Sequence, residues 1–346
     1  MEMFFYILLL YHAVAFAILV ISYFRTIGLP LCSIKKKPRV SILIPARDEE
    51  ENLPPLLESL LRQDYPDMEI LIYDDMSTDG TWGVIEEFSR RDSRIKGIRG
   101  KKKPEGWVGK NYALHVLSRI AGGDIFVFMD ADVRLRDRHL ISRIVCNMAD
   151  GKAITGFLRY RGGGTFVLTV LSYLYFQIPF PVRGGVNGQL WSITASDYRR
   201  LNPHEMFKGE VLEDVKIGYW LQWKGIRVDF RRLSLYADVI MYRSFCETIR
   251  GLTKNAWRAF LHFTPFAALG YWAFYLLPFV LMFIFPEFLL VSSIIMVGKF
   301  LSDRILLAKA SDTLLTPIGI FFFGYVMLRS WIFALMGKTR WKGRVV

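Results

Sequence analysis

Between residues 40 and 129 short apolar runs alternate with amphipathic stretches, and nothing else in the chain narrows its fold so far. Residues 40–44, Val-Ser-Ile-Leu-Ile, form the first run, and Pro45 closes it because proline has no N–H to give a sheet. Residues 49–62 then put Leu53, Leu56, Leu57, Leu60 and Leu61 on one helical face. Residues 69–73 read as a second strand. A turn from Asp74 to Gly80, a helix through Ile85 and Phe88, and a short strand at 95–98 follow. A helix over 110–120 and the run Ile-Phe-Val-Phe-Met at 125–129 complete the series. This order predicts an α/β fold with a mostly parallel, Rossmann-like sheet joined by right-handed crossovers.

The run at 125–129 ends in Asp130-Ala-Asp132. Alternate residues of an extended segment point the same way, so both carboxylates can reach one hard cation. Carboxyl ends of parallel strands are also where open α/β sheets bind ligands. A metal held there can neutralise a departing diphosphate. A solvated acidic turn would carry the same residues, so the pair needs support from elsewhere in the chain.

Of the 346 residues 52% are hydrophobic and 15% aromatic, and the net charge is +13. The apolar residues collect at the two ends and the basic ones beside them, which suits contact with anionic lipid headgroups. No nucleic-acid-binding motif appears, and long uncharged segments argue against that partner. Cys32, Cys146 and Cys246 lie far apart, fit no zinc or disulfide spacing, and read as structural thiols in a reducing compartment.

Residues 3–24 carry no charge and are long enough to cross a bilayer. Glu2 at the start and the lack of a cleavage site mark a retained anchor, not a signal peptide. Arg25, Lys35, Lys36, Lys37 and Arg39 follow it, which places residue 40 onward in the cytoplasm. Residues 162–182 are uncharged but interrupted by Pro179 and Pro181. A crossing there would also part Asp130 and Asp132 from Glu213 and Asp214. The stretch reads either as lying in the membrane interface or as a buried hairpin or helix. Residues 247–263 form a basic amphipathic helix of the surface-lying kind. Residues 264–285 read as a span, 288–298 as one only if it continues through Lys299, Asp303 and Arg304, and 313–336 as another. The basic tail favours a cytoplasmic C-terminus, hence two C-terminal crossings. The expected divisions are an N-terminal transmembrane anchor at 1–25, a catalytic domain at 38–246, an interfacial helix at 247–263, a C-terminal transmembrane region at 264–337 and a basic tail at 338–346.

Several motifs in order resemble those of family 2 glycosyltransferases with the GT-A fold: Val40-Ser-Ile-Leu-Ile-Pro-Ala-Arg-Asp-Glu-Glu50, Tyr73-Asp-Asp-Met-Ser-Thr-Asp-Gly80, Met129-Asp-Ala-Asp132, Asn187-Gly-Gln189 and Leu212-Glu-Asp214. Gly106-Trp-Val-Gly-Lys110, Met241-Tyr-Arg243, Gly251-Leu-Thr-Lys-Asn255 and Trp341-Lys-Gly-Arg344 most resemble membrane-anchored members that glycosylate carotenoid or hopanoid lipids. The resemblance implies a nucleotide-sugar donor, favouring a UDP-sugar, with Mg²⁺ or Mn²⁺ as cofactor. It places Pro45, Arg47, Glu49, Asp75, Lys110 and Asp130 at the donor, Asp75 accepting from the uracil imide, which is a donor facing an acceptor-only group. Asp132 and Asp130 would hold the metal, and Gly188 and Gln189 would line the acceptor pocket. Asp214 would be the general base with Glu213 beside it, although carboxylates in a helix's first turn are also stabilised there by its dipole. Arg243, Lys254, Trp257 and Arg258 stand where cations could close over the diphosphate.

The Gln-x-x-Arg-Trp motif of processive synthases is missing, which implies transfer of one sugar per encounter. The expected activity is therefore an inverting hexosyltransferase of the cell membrane, its catalytic domain cytoplasmic and its acceptor a lipid within the bilayer. Its rivals are transfer to polyprenyl phosphate and a non-catalytic membrane scaffold that keeps the fold. A nucleotidyltransferase would need a Gly-rich phosphate loop, and Pro-Ala-Arg-Asp-Glu-Glu is not one.

Overall fold

Val40 to Ala46 pair in parallel with two neighbours, and this strand fixes the rim on which the polar motifs gather. The computed structural model describes residues 1–33, 37–179, 184–254, 256, 263–337, 340–341 and 344–345. The chain divides into two units. One comprises Gly28–Arg159 and Gly184–Ile240. The other comprises Met1–Ile27, Tyr160–Arg183 and Met241–Val346.

The first unit is an α/β layer. Its strands are β1 (Val40–Ala46), β2 (Met68–Asp74), β3 (Ile95–Arg99), β4 (Ile125–Met129), β5 (Val133–Leu135) and β6 (Lys152–Thr155). β7 (Arg159–Gly162) leads the chain out of the unit, and β8 (Leu190–Thr194), β9 (Arg227–Phe230) and β10 (Ala237–Tyr242) follow. Seven form one sheet in the order β3-β2-β1-β4-β8-β6-β9. β1, β2, β3 and β4 run parallel, as the alternation predicts. The sheet is mixed beyond that point, because β8 enters antiparallel between β4 and β6. Every residue of β2, β4 and β8 is buried, so these strands have apolar layers on both faces. Phe128 stacks on Trp191 across β4 and β8 with ring centroids 4.3 Å apart.

Register sets the rim. Ala46 pairs with Asp74 and Val40 with Ile125, so the ladders continue to place Asp75 level with Arg47 and Asp130 level with Pro45. Met129 pairs with Leu190, which brings residues 187–189 to the same edge. The helix expected at 49–62 is the shorter Leu53–Leu61, because Pro54 and Pro55 fit only a first turn.

Cys32 and Cys146 correct the expectation of separate thiols: they form a disulfide with Cα atoms 5.8 Å apart. The segment before Cys32 is tied to the helix Leu140–Asn147, Arg143 donating to the Leu29 carbonyl at 2.9 Å and Asn147 to that of Pro30 at 2.9 Å. A separation of 114 residues carries no trace of that proximity.

The second unit is helical. Two of its helices, Glu2–Arg25 and Thr316–Leu335, are long and apolar enough to cross a membrane. The stretch expected as one span at 264–285 is instead two helices, Thr264–Tyr275 and Leu277–Leu281. Pro278 cannot donate to the carbonyl of Phe274, and His12 takes up that carbonyl through Nε2 at 2.8 Å. Phe288–Leu306 does continue through its charges. Lys299 is fully buried there, its Nζ 2.6 Å from both Asp303 oxygens and 2.9 Å from Thr169, while Thr313 donates to Asp303 at 2.7 Å. Pairing makes the charges tolerable inside an apolar bundle. Of the amphipathic helix expected at 247–263, residues 245–253 are helical; Asn255 and 257–262 lie outside the described residues.

Candidate active site

Asp130 leaves β4 with its backbone N–H donating to the Gln189 carbonyl at 3.1 Å, so the β4 end and the β8 approach are stitched together. Lys110 opens the helix Gly109–Ile120 and reaches into this corner. Its Nζ lies 2.7 Å from Asp130 Oδ1, donates to the Gly188 carbonyl at 3.3 Å and stands 3.7 Å from Glu213 Oε1. Asp214 is next to Glu213 in the first turn of the helix Glu213–Trp223, and its Oδ2 accepts from Gly188 N–H at 3.1 Å. A Cβ on residue 188 would sit 3.1 Å from Asp214 Oδ2 and 3.2 Å from Lys110 Nζ, so glycine lets cation and carboxylate close on one backbone position. Gln189 is buried and its side-chain oxygen accepts from Asn187 at 3.2 Å.

The neighbouring part of the rim is a second constellation. Arg47 donates to the Asp75 carbonyl at 2.9 Å and approaches the Asp75 carboxylate at 3.8 Å. Glu49 accepts from Asn52 at 2.7 Å, and its own N–H donates to Thr81 at 2.7 Å. Asp74 and Asp79 shape the turn, accepting from the N–H groups of Ser77 and Thr81 at 3.0 Å each.

Four acidic groups and one cation are crowded together, and the electrostatics follow. Burial pushes Asp132 up to about 7, Asp130 and Glu49 adding to the rise against Lys110 and Arg134. Burial likewise pushes Glu213 up to about 8, with Asp214 and Asp130 adding to it and Lys110 opposing. Asp214 is raised for the same first reason, with Lys110 opposing. The carboxylates Asp130, Glu213 and Asp214 together hold Lys110 above the ordinary lysine range despite its burial. At neutral pH Glu213 therefore carries a proton, and Lys110 is balanced chiefly by Asp130. His204, hydrogen-bonded to Tyr198 at 2.7 Å, is pushed down to about 3 by burial and by Lys110, and stays neutral.

The sign of the resulting stability change is fixed. Between its ordinary 4.5 and about 8, folded Glu213 keeps a proton that the unfolded chain has released, so stability present at low pH drains away as pH rises. The melting temperature is expected to fall from about pH 4.5 to about pH 8, and Glu213→Gln to flatten that fall. An equally steep fall in the variant would assign the effect to another group.

Asp132 Oδ1 is buried and has no hydrogen-bond partner in the described structure. An acceptor left bare in this way fits a cation, since burying one unpaired costs of order 1–3 kcal/mol or more. No group of three or more His, Cys, Asp or Glu side chains among the described residues is arranged to hold a metal unaided.

Sequence reasoning missed Asn111. It is fully buried beside Lys110, and its amide donates to the carbonyls of Phe207 and Glu210 at 2.9 Å and of Lys208 at 3.3 Å. It thereby holds the loop leading to Glu213 and Asp214. A polar residue on a helix gives no sign of such a task. Arg243 and Lys254 belong to the helical unit, and Trp257 and Arg258 lie outside the described residues.

Residues 41–208 match the model of glycosyl transferase family 2. A 4,4'-diaponeurosporenoate glycosyltransferase of Staphylococcus haemolyticus is 34% identical over 110 residues, 32% of this chain and 28% of that protein. A beta-monoglucosyldiacylglycerol synthase of Nostoc is 32% identical over 106 residues, 30% of this chain and 22% of that protein. The chain thus spans about a quarter of the length of these curated relatives. A mannosyltransferase from Pyrobaculum calidifontis, solved with GDP-Man and Mn²⁺, superposes with a TM-score of 0.55 over 96% of this chain and 99% of that one. At 17% identity this is a likeness of fold.

Proposed function

The chain belongs to glycosyl transferase family 2, with the GT-A fold, and from that premise we propose that it moves one sugar, with inversion, from a nucleoside-diphosphate donor, a UDP-sugar by preference, to a lipid in the membrane that its apolar helices enter. The observation that carries this reading is the corner where Lys110 lies between Asp130, Glu213 and Asp214, on the rim shared with Asp75. The acceptor hydroxyl attacks the anomeric carbon as the bond from that carbon to the diphosphate oxygen breaks. Asp214 receives the hydroxyl proton, and Lys110 faces the charge gathering on the departing diphosphate. Asp132 and Asp130 would hold Mg²⁺ or Mn²⁺, which when bound neutralises that diphosphate; one or two carboxylates plus phosphate oxygens make up the usual site. Asp75 would select the base and Gly188 and Gln189 would border the acceptor.

The apolar helices Glu2–Arg25 and Thr316–Leu335 support an integral membrane placement, and the basic residues that follow the first of them support a cytoplasmic α/β unit. Lipid acceptors are supported by the carotenoid and diacylglycerol names of the relatives. The test is transfer from labelled UDP-sugars by the full chain in lipid nanodiscs. Label is expected in the lipid fraction with Mn²⁺ or Mg²⁺ and to disappear with EDTA. Turnover indifferent to EDTA, or label confined to water-soluble products, would refute it. Label extracted only when polyprenyl phosphate is supplied would assign the acceptor to that lipid.

A further inference from the structure

The helix that begins with Glu213 and Asp214 turns Ile217, Gly218 and Leu221 inward. Its outward row is Val215, Tyr219 and Trp223, spaced at i, i+4 and i+8, and these are 44%, 44% and 73% exposed. The water-facing row of a soluble helix is ordinarily charged. Here it is apolar and aromatic, and beside it stand exposed Lys216, paired with Glu210 at 2.6 Å, and Lys224, whose Nζ lies 4.0 Å above the Trp223 ring. Tryptophan, tyrosine and lysine side by side are the residues that settle at a membrane–water boundary.

We propose that this row docks the α/β unit onto an anionic bilayer surface, with Tyr219 and Trp223 at headgroup depth. Charge complementarity points to that occupant, since the chain carries +13 overall. Chain order agrees. Tyr219 packs against Gly184, where an added Cβ would come 2.3 Å from the ring, and Gly184 follows almost directly on the uncharged stretch 162–182. The consequence concerns the acceptor. Asp214 lies nine residues before Trp223 on the same helix, about 14 Å at 1.5 Å per residue, so docking the row holds the base beside the surface where a lipid hydroxyl emerges.

Docking presupposes the membrane placement proposed above, and one experiment separates the two. In the full chain carrying Cys246→Ser, which removes the exposed free thiol, spin labels are placed at Tyr219→Cys, Trp223→Cys, Leu10→Cys and Glu87→Cys and read in nanodiscs containing phosphatidylglycerol. Collision with oxygen and with a water-soluble nickel chelate reports depth. Leu10, 68% exposed on the N-terminal helix, is expected deep in hydrocarbon, and Glu87, 64% exposed, in water. Labels at Tyr219 and Trp223 are expected to be shielded from nickel severalfold relative to Glu87 while remaining open to oxygen, and Lys224→Glu to weaken the shielding. Nickel access equal to that at Glu87, with Leu10 immersed, would overturn the docking and leave the anchoring intact. Labels closed to both reagents would mean that a protein covers the row, which also overturns it. An aqueous Leu10 would remove anchoring and docking together. Shielding indifferent to Lys224→Glu would refute the role of anionic lipid.

Discussion

Lys110→Met is expected to lower kcat by roughly 10²–10³-fold, the scale seen when one preorganised stabiliser of developing charge is removed. Two losses combine in that figure. The first is the charge proposed above to face the diphosphate. The second arises because Nζ is the cation set among Asp130, Glu213 and Asp214; without it Glu213 and Asp214 lose the charge that opposes their upward shift. Asp214 would then ionise only at higher pH, so the acid side of the pH–rate profile is expected to move upward in the variant. Lys110→Arg is not expected to rescue, because Nζ already lies where a Cβ on residue 188 would be 3.2 Å away, and the planar fork is wider than an ammonium. Steady-state kinetics from pH 5 to about 9, alongside a melting curve to verify folding, measure both effects. An unmoved profile with near-normal kcat would leave Lys110 as a structural cation.

The parallel half of the sheet could be read in advance because its signals are local. Runs such as Ile-Leu-Ile-Tyr are followed by turn residues such as Asp75 and Gly80, and β1 to β4 lie close to where those signals put them, although β1 runs through Pro45 to Ala46 because its pairing with β2 continues there. The antiparallel entry of β8 was not legible, since Leu-Trp-Ser-Ile-Thr has the same alternation read in either direction and only its pairing with Met129 fixes its sense. The break at Pro278 needed His12, some 260 residues away, to make the freed carbonyl tolerable. Lys299 looked like an interruption of a span, and only the fold supplies Thr169 to complete its pairing with Asp303. Within the corner, motif order singled out Lys110, Asp130, Asp132 and the Glu213-Asp214 pair. The same letters hold no indication that Asn111 braces the loop before that pair, because three backbone carbonyls leave no mark in a sequence.

Asp214→Asn is expected to cost about 10²–10⁴-fold in kcat, the usual contribution of a positioned general base. The substitution is nearly isosteric, so the oxygen that accepts from Gly188 N–H at 3.1 Å can be kept and the corner held in shape. What disappears is the ability to take a proton, together with one negative charge beside Lys110. Donor affinity is therefore expected to stay near normal or to improve slightly, because the diphosphate meets one repelling carboxylate fewer. That split between kcat and donor binding distinguishes a base from a residue that merely positions the Lys110 cation, whose removal would weaken both. The wild-type enzyme supplies an independent readout. Burial raises the Asp214 pKa, so the rate is expected to climb with pH above the ordinary aspartate value of 3.8, and the variant is expected to lose that limb. Isothermal titration with UDP and Mn²⁺, set against single-turnover transfer to lipid, measures the two quantities separately. Turnover by Asp214→Asn close to that of the wild type would place the base elsewhere, with Glu213, protonated at neutral pH, a poor replacement until about pH 8.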